Sequence, residues 1–397
     1  METLSDIVIT GLGITSAIGR GLDANRDALQ TGRAGITHLE NFPSRYAGIL
    51  PCAEIKTTDA ELIDRLQARE RGVTRTMLLA LEAFDEAVRD AGITRFDDLA
   101  LICGTTVGGM CHTDELYEDS NKKTKGSDYL TSYDCGSIAL YLQERYALGG
   151  VINSLNTACS SSANALAYGA RLLQQGWARK VVAGGVDALA KFTINGFNAL
   201  HILAPEWCTP FDRDRQGLNL GEGAAFLVLE RAEDVLPGTR IYARLTGWGN
   251  TNDAFHPSSL SEQGDGPYLA MQEALKTAKL QAGDIGYINA HGTATGNNDE
   301  VESRAMLRLF GAASVPPFAS TKSFTGHTLG ASGAIEAVYS VLGLVHGEAY
   351  PNLRYKNPIE GIGLAPVTTL TNLPLEHIMS NSFGFGGNCS SLIFSKA

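Results

Sequence analysis

Short apolar runs that stop at glycine recur along this chain. Ile7 to Ile9 precede Gly11, Ala100 to Cys103 precede Gly104, and Val181 to Ala183 precede Gly184-Gly185. A buried strand ending in glycine beside a helical stretch is the α/β pattern. The order of elements also repeats. Leu81 to Val88 reads as an amphipathic helix, followed by Ala91-Gly92-Ile93, Asp97-Asp98, the strand Leu99 to Cys103 and Gly104-Thr105. Met271 to Ala278 is likewise followed by Leu280, Gly283-Asp284-Ile285, the strand Tyr287 to Ala290 and His291-Gly292-Thr293. Cys159 then opens a helical stretch, Ala163 to Gln175, as His327 precedes Ala334 to Val345. These parallels predict two similar halves, 1–234 and 235–397, divided near Glu230 to Gly238. Common α/β grammar also generates such likeness by chance. Where two halves meet, strand ends and helix N-termini converge, and a site is expected there.

Composition narrows the class. The 397 residues suit two domains or one large duplicated fold, and 44% hydrophobic with 19% charged residues predicts a sizeable core. A net charge of −11 argues against nucleic acid as the main partner. Seven cysteines, an odd number without a CxxC pair, suggest neither a disulfide framework nor a zinc site, and a reducing cytoplasm is expected. Met1 to Asp6 carries acid where a signal peptide needs base, and no apolar run is expected to span a bilayer. Gly11-Leu12-Gly13 lacks the third glycine of a dinucleotide fingerprint at its proper place.

Three segments then stand out: Thr157-Ala158-Cys159-Ser160-Ser161-Ser162, His291-Gly292-Thr293 and Gly326-His327-Thr328-Leu329-Gly330. Each sets one reactive side chain among small residues. A thiol at a helix N-terminus faces the positive end of the macrodipole, which predicts a lowered pKa for Cys159 and N–H groups for an oxyanion. Two imidazoles in glycine-flanked turns without a third metal-type ligand suit hydrogen bonding to an oxyanion better than zinc. Cys52, Cys103, Cys135 and Cys208 read as structural, as do His38, His112, His201, His346 and His377. Glu336 lies in an apolar helical stretch, so it is expected to pair with Lys322, either beneath His327 or at the surface. The aromatic–glycine alternation of Asn381 to Asn388 suits a loop that closes on a ligand.

As a set, these segments resemble the elongating β-ketoacyl-[acyl-carrier-protein] synthases. The resemblance also takes in Val8 to Gly13, Ala183-Gly184-Gly185, Pro210-Phe211-Asp212 and Gly221-Glu222-Gly223-Ala224, and covers nearly the whole chain. It implies the thiolase fold, two duplicated αβαβα-layered halves with central mixed sheets. It implies decarboxylative condensation of an acyl chain, loaded on Cys159, with a malonyl unit on a carrier. His291 and His327 would stabilise the enolate, and the N–H groups of Cys159 and Phe385 would form the oxyanion hole. Lys322 and Glu336 match the buried pair of the family. Thr293, Thr295 and Ser258 match pantetheine contacts, and Phe383 and Phe385 the aromatic gate. Arg69, Arg71 and Arg75 are the candidates for docking an acidic carrier, or form a solvated face. No cofactor or metal is implied beyond the carrier's phosphopantetheine. The partners implied are the acyl carrier protein and a second subunit, in a homodimer or beside a Cys-less chain-length partner. Fatty acid and polyketide or aryl polyene elongation both fit.

The sequence departs from the family at Asn388-Cys389, where Thr-Asn is usual, and from Gly108 to Gly149, a divergent stretch with Met110, Cys111, His112 and Asn121-Lys122-Lys123. A thiolase acting on coenzyme A thioesters is the competing reading, with Cys389 as its second cysteine. A non-catalytic partner subunit is a further one, opposed by the presence of Cys159.

Overall fold

The computed structural model describes residues 5–40 and 44–397. Residues 1–4, which carry part of the acidic N-terminus read above, lie outside the described residues. Ten strands lie on one sheet path: β1 (Ile7–Ser16), β2 (Ala100–Gly104), β3 (Ile152–Leu155), β4 (Lys180–Asp187), β5 (Gly223–Arg231), β6 (Ala243–Asn252), β7 (Tyr287–Asn289), β8 (Phe318–Ala319), β9 (His377–Phe383) and β10 (Asn388–Lys396). From the outer edge inward, the first half runs β3-β2-β4-β5-β1, with pairings parallel, parallel, antiparallel and antiparallel. The second half runs β8-β7-β9-β10-β6 with the same four senses in the same order. The repeat read from the sequence is thus a repeat of topology. The two mixed sheets are not separate, because Val8 and Ile9 of β1 pair with Arg244 and Ala243 of β6 and make one continuous path.

Five helices frame the site: α1 (Arg75–Asp90), α2 (Ser161–Gln174), α3 (Asp265–Ala278), α4 (Gly296–Phe310) and α5 (Ser332–His346). Alternation along the strands separates the layers, since successive side chains face opposite sides. In β2, Leu101 and Cys103 join a core with α1, whereas Ala100 and Ile102 join a core with α2 and α5. A third core in the second half brings Met271 and Ala274 of α3 against Ile288, Met379 and Ile393. The order is therefore α1, sheet, α2 with α5, sheet, α3 with α4: the thiolase fold.

The glycines set aside as a dinucleotide motif have a packing reason. A Cβ on Gly13 would lie 2.0 Å from the Ala83 carbonyl oxygen of α1. In the second half, a Cβ on Gly249 would lie 2.1 Å from the Ala270 carbonyl oxygen of α3. The first strand of each half is stripped of side chains so that a helix can lie on it. The central helices meet by the same device, for a Cβ on Gly333 would fall 2.7 Å from Ala163 N.

Contrary to the expectation that no run would suffice, the helical stretch Leu329–His346 is long and apolar enough to cross a bilayer, with mean hydropathy 1.3 over 18 residues. It is 89% buried inside the fold, so its apolar character answers to neighbours on every side.

Candidate functional site

Between β3 and α2 the chain turns through Thr157-Ala158-Cys159. Ala158 holds φ +54°, in the left-handed region that L-residues adopt at a cost of about 1–3 kcal/mol. Ser161 secures the turn, accepting from Thr157 N at 2.9 Å and donating to the Ala158 carbonyl at 2.6 Å. Gly384 of the C-terminal loop presses against it, where a Cβ would stand 2.9 Å from the Thr157 oxygen and 3.1 Å from Cys159 N.

The second half brings both imidazoles to this sulfur. His327 Nε2 lies 3.0 Å from Cys159 Sγ, and its Nδ1 lies 3.0 Å from Ser332 Oγ. The backbone of His327 is bonded across the half-boundary, its N–H to the Asn219 carbonyl at 2.7 Å and its carbonyl to Gly221 N at 2.9 Å. His291 lies two residues beyond β7 and stands edge-on to His327, with ring centroids 5.4 Å apart. Its N–H and that of Gly292 donate to the two oxygens of Glu302 at 2.9 and 2.8 Å. Gly292 is required here: it holds φ +39°, and a Cβ would sit 2.5 Å from Ser320 Cβ. On the far side of the ring, Lys322 Nζ lies 3.2 Å from His291 Nδ1 and pairs with Glu336. This places the Lys322–Glu336 pair in the interior, 2% and 3% exposed, not at the surface.

Burial governs the ionisation of these groups. It pushes the Cys159 thiol up to about 11, against the downward pull of the Phe385 N–H, Lys322 and the thiol's own N–H. The lowered value expected from the helix terminus is therefore corrected: loss of water outweighs the dipole. Burial, with the Lys322 charge, holds both His327 and His291 well below the usual imidazole range, and His327 lowers His291 further. Burial raises Glu336 and Glu302 to about 7. At neutral pH the reactive groups are a thiol and two neutral imidazoles.

The sulfur and two ring nitrogens lie within 4.8 Å of one another, close enough to hold a soft metal ion. The Lys322 ammonium against His291 sets a positive charge beside them, which opposes a dication.

A cavity of about 280 Å³ opens over the sulfur. Thr293, Thr295, Ser258 and Phe383 all line it, together with Phe385, as read from the sequence. Thr293 and Thr295 meet through their hydroxyls at 2.9 Å. The Phe385 ring stacks on Phe197 at 5.8 Å and 11°, forming an aromatic cover.

Two expectations fail. Arg75 is 6% exposed and bonds Glu222 with Nε at 2.9 Å and Nη2 at 2.6 Å, and Asp59 with Nη1 at 2.6 Å. It is a buried structural cation and offers no surface for a carrier. Arg69 and Arg71 are exposed, paired with Asp64 and Asp128. Cys389 is buried among Leu260, Ala270, Val301 and Phe383, and burial pushes its thiol up. That position does not suit the second nucleophile of a thiolase.

Sequence reasoning missed Glu302, Asp187, Ser332 and Phe197. Asp187 had a signal, an acid closing an apolar strand. Its buried carboxylate accepts from Thr105 Oγ1, Thr106 Oγ1, Val107 N and, across the halves, Gly330 N at 2.6 Å. Glu302 had none, being one acid among several in α4.

Comparison with known proteins agrees with this geometry. Family models for the β-ketoacyl synthase N-terminal domain and C-terminal domain match residues 4–235 and 242–356. The 3-oxoacyl-[acyl-carrier-protein] synthase 2 of Vibrio cholerae is 34% identical over 415 residues, 98% of this chain and 99% of the relative. The ishigamide ketosynthase/chain length factor superposes with a TM-score of 0.93 at 28% identity, covering 100% of both chains. A ketosynthase in complex with its chain length factor from Xenorhabdus doucetiae gives 0.86 at 31%, covering 100% of this chain and 99% of that one. The chain belongs to the β-ketoacyl synthase family.

Proposed function

We propose that this protein is a 3-oxoacyl-[acyl-carrier-protein] synthase, joining an acyl chain held on Cys159 to a malonyl unit with loss of CO2. The observation that carries the reading is one thiol and two imidazoles within 4.8 Å in one cavity. In loading, the Cys159 proton passes to His327 Nε2 and the sulfur attacks the carrier thioester. The oxyanion lies between the N–H groups of Cys159 and Phe385, and the carrier thiolate leaves with the proton. Ser332 suits either state of His327, because a hydroxyl both donates and accepts.

A malonyl thioester then breaks its carboxyl bond, CO2 departs, and the electron pair becomes an enolate. Its oxygen accepts from Nε2–H of His291 and of His327. The enolate carbon attacks the acyl-Cys159 carbonyl, and collapse releases 3-oxoacyl carrier and expels the sulfur as thiolate, which takes one proton from water to restore the thiol. Lys322 holds His291 in the donating tautomer, and Glu336 balances its charge. Thr293, Thr295 and Ser258 receive the pantetheine arm, and Phe383 and Phe385 close the cavity.

The substrate arrives on the phosphopantetheine of an acyl carrier protein, docked by Arg69 and Arg71. The acyl chain belongs to fatty acid or type II polyketide or polyene elongation. A second subunit, a copy or a chain-length-factor-like relative, packs along β3, whose outer edge no described strand pairs. Seven free cysteines suit the cytoplasm. The halves divide at 234/235, after the single turn Ala232–Asp234 that follows β5.

Intact-mass analysis tests the reading. Cys159→Ala should take up no acyl group. His291→Ala should load normally yet release no CO2 from malonyl carrier. Condensation at the wild-type rate by the His291 variant would sink the mechanism.

A further inference from the structure

Where the family pattern has threonine, this chain carries Asn388, and its side chain makes a junction. Asn388 Oδ1 accepts from Asn164 Nδ2 and from Asn250 Nδ2, each at 2.9 Å, and lies 2.7 Å from Ser160 Oγ. Ser160 follows the nucleophile directly, and Asn164 stands on the first turn of α2. Asn164 also donates to Thr157 Oγ1 at 2.9 Å, and it accepts from Ser390 Oγ at 2.7 Å. Ser390 accepts from Asn250 Nδ2 at 2.9 Å. One amide oxygen thus joins the Cys159 turn to β6 and β10 of the other half.

The main chain of Asn388 serves the opposite partner. Its carbonyl accepts from Gly384 N at 2.8 Å, and Gly387 N donates to the Gly384 carbonyl at 3.1 Å. These bonds close the turn that carries Phe385. Gly386 and Gly387 hold φ +81° and +80°, so the turn has no side-chain stiffness of its own there. The other face of the loop is bonded to the 252–257 segment, through Gly386 N to the Pro257 carbonyl and Asp253 N to the Gly387 carbonyl. Asn388 supplies the side-chain link toward the nucleophile.

We propose that Asn388 is a positioning residue for acyl transfer, its side-chain oxygen fixing the spacing between the Cys159 and Phe385 N–H groups that receive the oxyanion. This rests on the condensing-enzyme reading above. The one amide oxygen accepts from Asn164 on α2 and from Asn250 on β6, so the pinning spans the halves. The device acts on charge developing at the carbonyl oxygen. The same two N–H groups also pull the Cys159 thiol down, so the sulfur feels them through its ionisation and the oxyanion feels them in addition.

Two reactions of Cys159 separate these effects. Acylation by a hexanoyl N-acetylcysteamine thioester passes through an oxyanion; alkylation by iodoacetamide does not. Both rates are followed by intact mass on the full chain. Loss of one oxyanion donor costs about 10²–10³-fold, so a displaced donor in Asn388→Ala should lower acylation about 10- to 100-fold. Alkylation feels the displaced donor only through the thiol's ionisation and should fall by less, so the acylation-to-alkylation ratio should drop. Asn388→Asp keeps the acceptor oxygen and should restore the acylation-to-alkylation ratio. Asn164→Ala removes one donor to the same oxygen and should lower the ratio in the same direction, which covers a misfolded Asn388→Ala. An unchanged ratio in both alanine variants, including two rates falling by the same factor, overturns the proposal. Wild-type protein that alkylates but never acylates at Cys159 overturns the reading beneath it instead.

Discussion

Lys322 Nζ lies 3.2 Å from Nδ1 of His291. An ammonium has hydrogens to donate and no lone pair, so Nδ1 must accept and the ring proton must sit on Nε2. The side chain thereby chooses the tautomer of an imidazole it does not otherwise touch. The same ammonium pairs with Glu336, whose Oε2 is buried with no partner among the described residues. Lys322→Met should load acyl groups on Cys159 yet lose malonyl decarboxylation by about 10²–10³-fold. Leaving Glu336 buried and unpaired should cost about 3–5 kcal/mol in denaturant unfolding. Lys322→Met/Glu336→Leu should recover stability and leave decarboxylation absent. Recovery of both would remove Lys322 from the chemistry.

Burial pushes the Cys159 thiol up to about 11. Iodoacetamide reacts with thiolate, so its rate at Cys159 should still be climbing from pH 8 to about 10. A plateau near pH 7 would show that the helix terminus outweighs desolvation after all.

Gly292→Ala tests the seat of His291. The new methyl would meet Ser320 Cβ at 2.5 Å and Phe211 Cε2 at 2.6 Å, at φ +39°. A loss of about 3 kcal/mol is expected. Gly296→Ala, at the start of α4 with nothing within 4 Å, is the matched control and should be neutral or slightly stabilising. Equal unfolding midpoints for the two variants would contradict the steric account.

Glu302 carries a pH signature. Burial raises its carboxyl to about 7, above the usual 4.5, so the folded state binds the proton more tightly than the unfolded chain. Its contribution to stability is full below about pH 4.5 and is lost as pH rises toward 7. The loss is at most about 3 kcal/mol. Glu302→Gln should flatten the decline in unfolding free energy between pH 5 and 8. An identical slope in wild type and variant would exclude Glu302 as its source.

Arg75 and Arg71 should separate cleanly. Arg75→Met leaves Glu222 buried without its cation and should cost about 3–5 kcal/mol of stability. Arg71→Glu, at an exposed site, should leave stability within about 0.5 kcal/mol. It should also raise KM for carrier-bound substrate in a salt-dependent way. A salt-independent KM would move the docking face elsewhere.

The sequence by itself determined the repeat, the three reactive side chains and the glycines around them, because these are local properties. A reactive residue among small neighbours, or an apolar strand ending in glycine, is written in consecutive letters. That Glu336 pairs with Lys322 was legible too, since a carboxylate in an apolar helix has to find a cation, but its burial and its place against His291 were not. Tertiary structure decided what depends on partners far apart in the chain. Arg75 reads as a surface cation until Glu222, 147 residues on, closes over it. Glu302 is one acid of many until β7 brings two N–H groups to it. The ionisation of Cys159 was misjudged because a helix terminus is visible in the sequence and the depth of burial is not. Desolvation is summed over every neighbour the fold supplies, and only the folded chain performs that sum.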